Sequence, residues 1–577
     1  MRPDRMKELI SEYGPSYVSM DVFDTLLLRP YVRPTDLLRH VEHDLDAPGF
    51  FDARISAERL SRRERGGETT LDAIYGRLPE RYRHLKDAEV RYELEMSLPN
   101  EEMRRLLRDL TGSGTRTVLI TDMYLPKEAI ELMLEKNGIH EHEKIYVSSE
   151  SGATKRSGSL FGLVLDDLGI RSADIVHIGD DRRSDLSVPS SLGIRALRYS
   201  PPMERYMKEH SGARRFYRRA RTLGRSVIVS MDMLLESEYG DEADVWRRLG
   251  LRYGGPLTSF YARFLSERLS EDAVNLFVSR DGYGVMRVMD ILFPGSRSEY
   301  VYAPRILHHV LTGPSPENGT RGGGRRDAAE RAEYMMSYFS EELGGGGTRS
   351  GKDAEALEIL AERSEEVDGL RSEALRGYRE YLNAVCGGSD RVNVIDCTTA
   401  RFSSQRLLES VLEDSEVRGY YFVTLGETEE LDYVSFQRKR RPVCWMMINI
   451  PEFFMCSPEF PIRRMEGPRP VFKDDNPPCE VRRAGTYGSV LEGECRYASL
   501  LKGVFGDKVP PVSYRDLMPW CALMVLEPRS DEREFIRGMQ WASDPLHKEY
   551  RPIVPTLRDA PYRLRKLATD IAWMLDR

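Results

Sequence analysis

The chain has 577 residues, too many for one ordinary core, and a soft prior of one domain per ~150 residues gives about three to five units. Hydrophobic residues make up 40%, aromatics 9% and charged residues 31%, enough apolar material for packed cores, which excludes wholesale disorder. Lys and Arg number 85 against 93 Asp and Glu, a formal charge of -8, without the basic excess of a dedicated nucleic-acid binder, so nucleic acid is not expected as a partner.

The longest uncharged apolar stretch, around Val443 to Ile450, falls far short of the ~20 residues of a membrane-spanning helix. The N-terminal MRPDRMKELISEYG carries charges where a signal peptide has an apolar run, so a cytoplasmic protein with no membrane span is expected. The cysteines Cys386, Cys397, Cys444, Cys456, Cys479, Cys495 and Cys521 all lie in the last third, odd in number and with no C-x-x-C pair. That pattern supports neither a disulfide framework nor a zinc site.

In chain order, short β-rich runs alternate with helical patterns, the signature of a parallel sheet with helices on its faces. Strands are expected at Tyr17 to Met20, Thr117 to Ile120, Lys144 to Val147 and Asp174 to Ile178, each followed by a polar loop. Between the first two lies Leu27 to about Asp109, which reads as helices throughout, with apolar spacings such as Leu37, Leu38, Val41 and Leu45. A helical insert just after the first strand sits over the sheet's carboxyl edge, where a lid or cap belongs. The helix from Pro126 to Asn137 has proline at its first turn and Gly138 past its end.

Glu204 to Arg225 is basic and helical, a connector with a solvated face rather than an anion-binding one. A second α/β region follows, with strands expected at Ala273 to Ser279, Arg391 to Asp396 and Val417 to Val423, and helical patterns at Tyr283 to Leu292 and Ser404 to Leu412. The glycine clusters Gly322 to Gly324 and Gly344 to Gly347 read as flexible connections. RKRRP at Arg438 to Pro442 reads as a surface turn, and Leu564, Leu567, Ile571, Met574 and Leu575 share one face of a final amphipathic packing helix.

Ligands of open α/β sheets bind outside the carboxyl ends of the strands, so the chemistry is sought there. The first strand runs YVSM into DVFDTLLLRP, placing Asp21 at its end, where an aspartate needs a cation or hydrogen-bond donors to stay ionised. The second ends in ITDMYLP, with the Thr121 hydroxyl able to donate to an oxyanion. After the third comes SSESGATKRSGSLFG with Lys155, a point charge suited to holding a phosphate beside a carboxylate. The fourth gives HIGDDRRSDL, whose Asp180, Asp181 and Asp185 suit Mg²⁺, a hard ion that takes one or two carboxylates and keeps its waters.

In this order, Asp21, Thr121, Lys155 and Asp180 resemble the four motifs of the haloacid dehalogenase-like (HAD) superfamily. The helical insert then resembles that superfamily's C1-type cap. MDVFDTLLLRP, ITDMYLPKEAI, the K-R-S-G-S-L-F stretch and HIGDDRRSDL, with cap fragments such as FDARISAERLSRRE, TTLDAIYGRL and EMSLPNEEM, are similar to a large two-domain subgroup associated with cell-surface polysaccharide biosynthesis. FVSRDGYG and LGLRYGGPL carry the likeness loosely into the second half. The resemblance implies an α/β fold: a HAD-like Rossmannoid parallel sheet with a helical C1 cap, followed by a second Rossmann-like α/β domain. The expected division is a core of residues 1–26 and 110–200, a cap of 27–109, a helical connector of 201–240, a second domain of 241–425 and a mixed region of 426–577.

The resemblance further implies a Mg²⁺-dependent hydrolase, a phosphatase or phosphotransferase, acting through an aspartyl-phosphate on a small phosphorylated metabolite such as a sugar phosphate or activated sugar. Asp21 would be the nucleophile. Asp21, the Phe23 carbonyl and Asp180 would hold Mg²⁺, with Asp185 a further ligand or an orienter of Lys155, while Thr121 and Lys155 hold the phosphoryl oxygens. A glycosyltransferase or another polysaccharide-assembly protein is the implied protein partner.

One position departs from the pattern. HAD phosphatases carry a second aspartate two residues after the nucleophile as general acid and base, and here that residue is Phe23, with Asp24 one further on. General acid–base help is typically worth ~10²–10⁴-fold. Either the leaving group is already good, or the cap supplies the acid, with Glu93 and Glu95 as candidates, or the site is slow. The alternatives are a catalytically weak binding or scaffold protein, and a dehalogenase-type hydrolase, which shares the aromatic residue but lacks the acidic loop. In the second half, Arg280, Asp281, Asp396, Thr399, Ser403 and Gln405 follow strands and precede helices, and are the candidates for a second polar pocket, as for a sugar or nucleotide. Capping and turn chemistry account for the same letters. Similar HAD-linked domains carry a D-x-G pattern after the second of these strands, where this chain has Cys397 and Thr398.

Overall fold

Strands buried on both faces need near-continuous apolar side chains, and YVSM, RTVLIT and IVHIG meet that demand. In a computed structural model of the protein, which describes residues 1–240, 242–312, 325–343, 353–399, 401–437, 446–542 and 550–552, these runs are the centre of the first of two units. That unit comprises Met1–Glu238 with a returning segment, Gly503–Pro510; Tyr239–Lys502 and Pro511–Arg577 make the other.

The first unit contains β1 (Tyr17–Met20), the two-residue strands β2 (Leu27–Leu28) and β3 (Leu98–Pro99), then β4 (Arg116–Thr121), β5 (Lys144–Val147), β6 (Ile175–Gly179) and β7 (Arg195–Arg198). The sheet order is β5-β4-β1-β6-β7, with every pair parallel. Because the chain leaves β1 first toward β4 and later returns on its other side to β6, the carboxyl end of β1 is the topological switch point. One face packs Val118, Ile120, Leu160, Phe161, Val164 and Ile175 into a closed core.

The insert is helical except at its two ends. There β2 and β3 pair antiparallel, Leu27 opposite Pro99 and Leu28 opposite Leu98, forming a two-stranded neck that the apolar spacing did not predict. Asn100 fastens the neck, its amide donating to the Thr25 carbonyl at 2.6 Å. Five helices lie between, from Asp36–Asp44 to Lys86–Glu95. At their centre Arg54, fully buried, donates from Nε and Nη2 to both oxygens of Glu89 at 2.8 and 2.7 Å, and the Tyr75 hydroxyl joins at 2.7 Å. We expect Glu89→Ala to lower the unfolding free energy by about 3 kcal/mol in a urea titration, the lower end of the cost of breaking a buried pair, because it leaves the buried guanidinium with only the part-exposed Glu58, at 3.0 Å, as a charged partner.

The basic stretch divides in two. Ser211–Arg219 buries Ala213, Phe216 and Tyr217 and exposes Arg218 and Arg219, whereas Leu223–Tyr239 is an interior helix, buried from Gly224 to Met233. Its Ser230 hydroxyl reaches the Pro30 carbonyl at 2.7 Å, and its Arg225 donates to the Phe216 carbonyl at 2.8 Å. Residues of the returning segment also pack in this unit, Phe505 edge-on to Tyr31 and Lys508 over the Tyr92 ring.

The second unit is also a parallel sheet flanked by helices, with β8 (Val274–Val278), β9 (Ser298–Val301), β10 (Arg391–Thr399), β11 (Glu416–Thr424) and β12 (Tyr433–Ser435) in the order β12-β11-β10-β8-β9. Its switch point lies between β8 and β10. Helices Tyr283–Leu292 and Ser403–Glu409 start just beyond those two strands. No helix among the described residues is long and apolar enough to cross a membrane. Both glycine clusters, the RKRRP run, Cys444 and the amphipathic helix expected at Leu564 to Leu575 lie outside the described residues.

Candidate active site

Asp21 follows β1 directly, its backbone N–H donating to Ile178 of β6, so its side chain is fixed at the switch point. The next residues wind into a tight turn. Leu26 and Leu27 both donate to the Val22 carbonyl and Asp24 donates to Leu27, which leaves the Phe23 carbonyl outside that set. Asp24 adopts a left-handed backbone, φ 57°, an uncommon conformation for a non-glycine residue that concentrates at functional sites.

Lys155 Nζ stands between two carboxylates, 2.6 Å from Asp21 Oδ1 and 2.6 Å from Asp185 Oδ1. Its loop is tied by Asp122, whose carboxylate accepts from the backbone N–H groups of Lys155 (2.7 Å) and Arg156 (3.2 Å). Both Asp185 oxygens are hydrogen-bonded: Oδ1 also meets His177 Nε2 at 3.1 Å, and Oδ2 accepts from the Asp181 N–H at 2.9 Å. Behind it, Ser19 Oγ lies 2.8 Å from His177 Nδ1. Burial lowers the pKa of His177 against the pull of Asp185, so the ring is neutral, with Nε2 donating to Asp185 and Nδ1 accepting from Ser19.

The charges are unbalanced. Oxygens of Asp21, Asp180 and Asp185 lie within 4.8 Å of one another, with one ammonium among them. Burial opposes the Lys155 ammonium, but Asp21 and Asp185 outweigh it and hold its pKa above that of an ordinary lysine. Burial also raises Asp185, yet Lys155 and His177 keep it below the usual carboxylate range. Asp21 is pushed well up by burial, with Asp185 and Asp180 adding to the push, and Asp180 is raised to about 7 by burial with Asp24 and Asp185. Surplus negative charge on hard oxygen donors at a strand edge suits a divalent cation such as Mg²⁺. Asp21, Asp180 and Asp185 each offer an oxygen to such an ion, and Asp185 Oδ2, with one protein donor, keeps an acceptor position for it.

Thr121 ends β4, the strand next to β1, and is almost wholly buried. The Arg29 guanidinium lies 4.4 Å from the Phe23 ring centroid and donates from Nε to Glu93 at 2.8 Å, both charged groups being buried. Glu93 is thus committed to an ion pair, and Glu95 pairs with Lys508 at the surface. Both carboxyl groups that the sequence offers as substitutes for an acid at position 23 thus carry ion pairs. Asp122, His177 and Ser19 also belong to the site. Asp122 sits inside a quoted motif, whereas the Ser19–His177 contact depends on strand register and has no signal in residue spacing.

Of the second group, Arg280, Asp281, Asp396, Thr399 and Ser403 border one cavity in the second unit. Gln405 does not. It is fully buried, donating to Glu409 and to the Asp432 carbonyl and accepting from the Tyr421 hydroxyl at 3.1 Å, so it braces β11.

Neither a family model nor a curated protein sequence matches the chain. Among solved structures it is similar to an L-2-haloacid dehalogenase from Xanthobacter autotrophicus, at 13% identity and TM-score 0.25 over 34% of this chain and 82% of that one. It is similar to a predicted phosphoglycolate phosphatase from Haemophilus somnus 129PT, at 16% identity and TM-score 0.24 over 32% of this chain and 88% of that one. It is also similar to YfnB from Bacillus subtilis, a candidate HAD-hydrolase bound to magnesium, at 18% identity and TM-score 0.25 over 31% of this chain and 83% of that one.

Proposed function

We propose that the first unit is a Mg²⁺-dependent HAD-type hydrolase that removes or transfers a phosphoryl group from a small phosphorylated metabolite, a sugar phosphate or activated sugar. The observation that carries this reading is Lys155 held at 2.6 Å from Asp21 and from Asp185, with Asp180 in the same cluster, all at the carboxyl edge of a parallel sheet. An Asp21 oxygen attacks phosphorus, the bond from phosphorus to the leaving oxygen breaks, and water later frees phosphate from the aspartyl ester. Lys155 shields Asp21 from the incoming charge, Thr121 donates to a phosphoryl oxygen, and the Asp185–His177–Ser19 chain keeps Lys155 aimed. Mg²⁺, when held by Asp21, the Phe23 carbonyl and Asp180, supplies charge neutralisation and alignment.

No carboxylic acid faces the leaving group at position 23, and Glu93 is spent on Arg29. The reading therefore favours substrates whose leaving group departs as a stable anion, such as phosphoanhydrides of activated sugars. The polysaccharide setting, a glycosyltransferase partner and a cytoplasmic location enter this proposal only through the resemblance of the sequence motifs. A second reading, ligand binding without turnover, draws on the same Phe23.

The test is phosphate release from aryl phosphates and sugar phosphates, and release of nucleoside monophosphate with sugar 1-phosphate from nucleoside-diphosphate sugars, with Mg²⁺ and with EDTA. Expected is release that EDTA abolishes, with aryl phosphate or anhydride turned over at least ~10²-fold faster than an alkyl monoester. Equal release in EDTA would point to chemistry without the cation, and no release at all to the binding reading.

Gly179 sets a second test. A Cβ there would stand 2.5 Å from Asp185 Oδ2 and 2.7 Å from its Cβ, so the strand end tolerates only glycine. Gly179→Ala displaces Asp185 and with it Lys155, and kcat is expected to fall by ~10²-fold, as misplacement by about 1 Å can cost.

A further inference from the structure

The second sheet has its own switch point, between β8 and β10, and a cavity of about 370 Å³ opens there. The two turns that frame it are strained. Arg280 after β8 and Phe402 after β10 have φ of 68° and 55°, two of the four non-glycine residues at positive φ among the described residues. Gly282 lets the first turn fold back onto its own strand, since a Cβ there would lie 2.8 Å from the Val278 nitrogen and oxygen. Backbone held in costly conformations at a strand edge is a mark of a binding loop.

The walls carry both signs. Arg280 Nη2 pairs with Glu480 at 3.1 Å, while its buried Nη1 has no hydrogen-bond partner among the described residues. The exposed Arg305 also lines the cavity. Asp281, Asp396 and Glu452 line the same cavity. Asp396 is half satisfied, accepting from the Cys397 N–H at 2.8 Å and from Ser404 Oγ at 3.0 Å. Burial and mutual repulsion push Asp396 to about 7 and Glu452 to about 8, against the pull of Arg305. These three do not form a metal cluster, since the one group of converging ligand atoms among the described residues is Asp21, Asp180 and Asp185.

An unpartnered guanidinium N–H calls for an anionic oxygen, and carboxyl groups with spare acceptor positions call for hydroxyl donors. We propose that this cavity is a second ligand site that takes a sugar phosphate, its phosphate on Arg280 and Arg305 and its hydroxyls on Asp281, Asp396 and Glu452. The site shares no residue with Asp21 and its neighbours and does not depend on chemistry there.

The test is hydrogen–deuterium exchange of the full chain with and without hexose 1-phosphates, hexose 6-phosphates, pentose 5-phosphates and nucleoside-diphosphate sugars. The controls are inorganic phosphate alone and uncharged hexose alone. Expected is protection of peptides spanning 279–284, 396–405 and 450–456 by at least one sugar phosphate and by neither control. Arg305→Ala, at an exposed position, should raise the half-saturating concentration ~10-fold, the worth of one charge-assisted hydrogen bond, and Asp281→Asn should raise it as well. Protection confined to peptides of the first unit, equal protection by inorganic phosphate alone, or none with any member of the panel would overturn the proposal. Because the readout is local to each unit, its failure is separate from any failure of phosphate release at Asp21.

Discussion

Asp21→Asn is expected to abolish Mg²⁺-dependent phosphate release, with a loss of at least ~10³-fold in kcat, as removal of a nucleophile typically gives. The amide keeps the shape of the carboxylate but offers no charged oxygen to phosphorus. The fold should survive the change. Lys155 retains Asp185 at 2.6 Å, and removing one of three crowded carboxylates relieves repulsion within the cluster. The melting temperature is therefore expected to stay level or rise while turnover vanishes. Wild-type protein with an aryl phosphate should show a burst of the aryl product if the aspartyl ester accumulates, and the variant none. Undiminished turnover in Asp21→Asn would remove the nucleophile from the proposal and the proposal with it.

Phe23→Asp is the converse experiment, since it restores a carboxyl group where HAD phosphatases carry their acid. It is expected to raise turnover of an alkyl phosphate monoester by about 10²-fold, the lower end of what general acid help supplies, and to leave an aryl phosphate nearly unchanged. The lower end is expected because Arg29, 4.4 Å from the ring that the carboxyl group would replace, favours its ionised form. Only the protonated form can donate to the leaving oxygen. The gain should therefore grow as pH falls toward the pKa of the new group and shrink as pH rises above it. A profile flat in pH, with alkyl and aryl substrates equally affected, would mean that the change acts through packing under Arg29 rather than through proton transfer.

The central strands were legible because they are apolar on both faces. Tyr17–Met20 and Lys144–Val147 coincide with the expected runs, and β4, β6, β8, β10 and β11 differ by a few residues at their ends. The edge strands β7, β9 and β12 were not, since RALR, SEYV and YVS are short and half-exposed and leave no continuous apolar run. The same physics hid β2 and β3, two residues each, whose pairing depends on a chain return more than sixty residues long. At the site, Asp21 and Asp180 could be read because each directly follows a strand, and Lys155 because it lies in the polar stretch after β5. The choice that the sequence leaves open for Asp185, ligand or orienter of Lys155, turns on where two oxygens point, and Gln405 turned inward for a comparable reason. Glu93 was legible as an acid in the cap, but its capture by Arg29 joins positions 64 residues apart.

The returning segment Gly503–Pro510 has a consequence for synthesis. The first unit begins at Met1, yet the residues that set Phe505 beside Tyr31 and Lys508 over Tyr92 leave the ribosome only after most of the second unit. At about 5–20 residues per second, the aromatic surface around Tyr31, His40 and Tyr92 waits about 15–55 s for its cover. A fragment ending at Glu238 carries that same surface bare, as a patch exposed to chaperones and to other nascent chains.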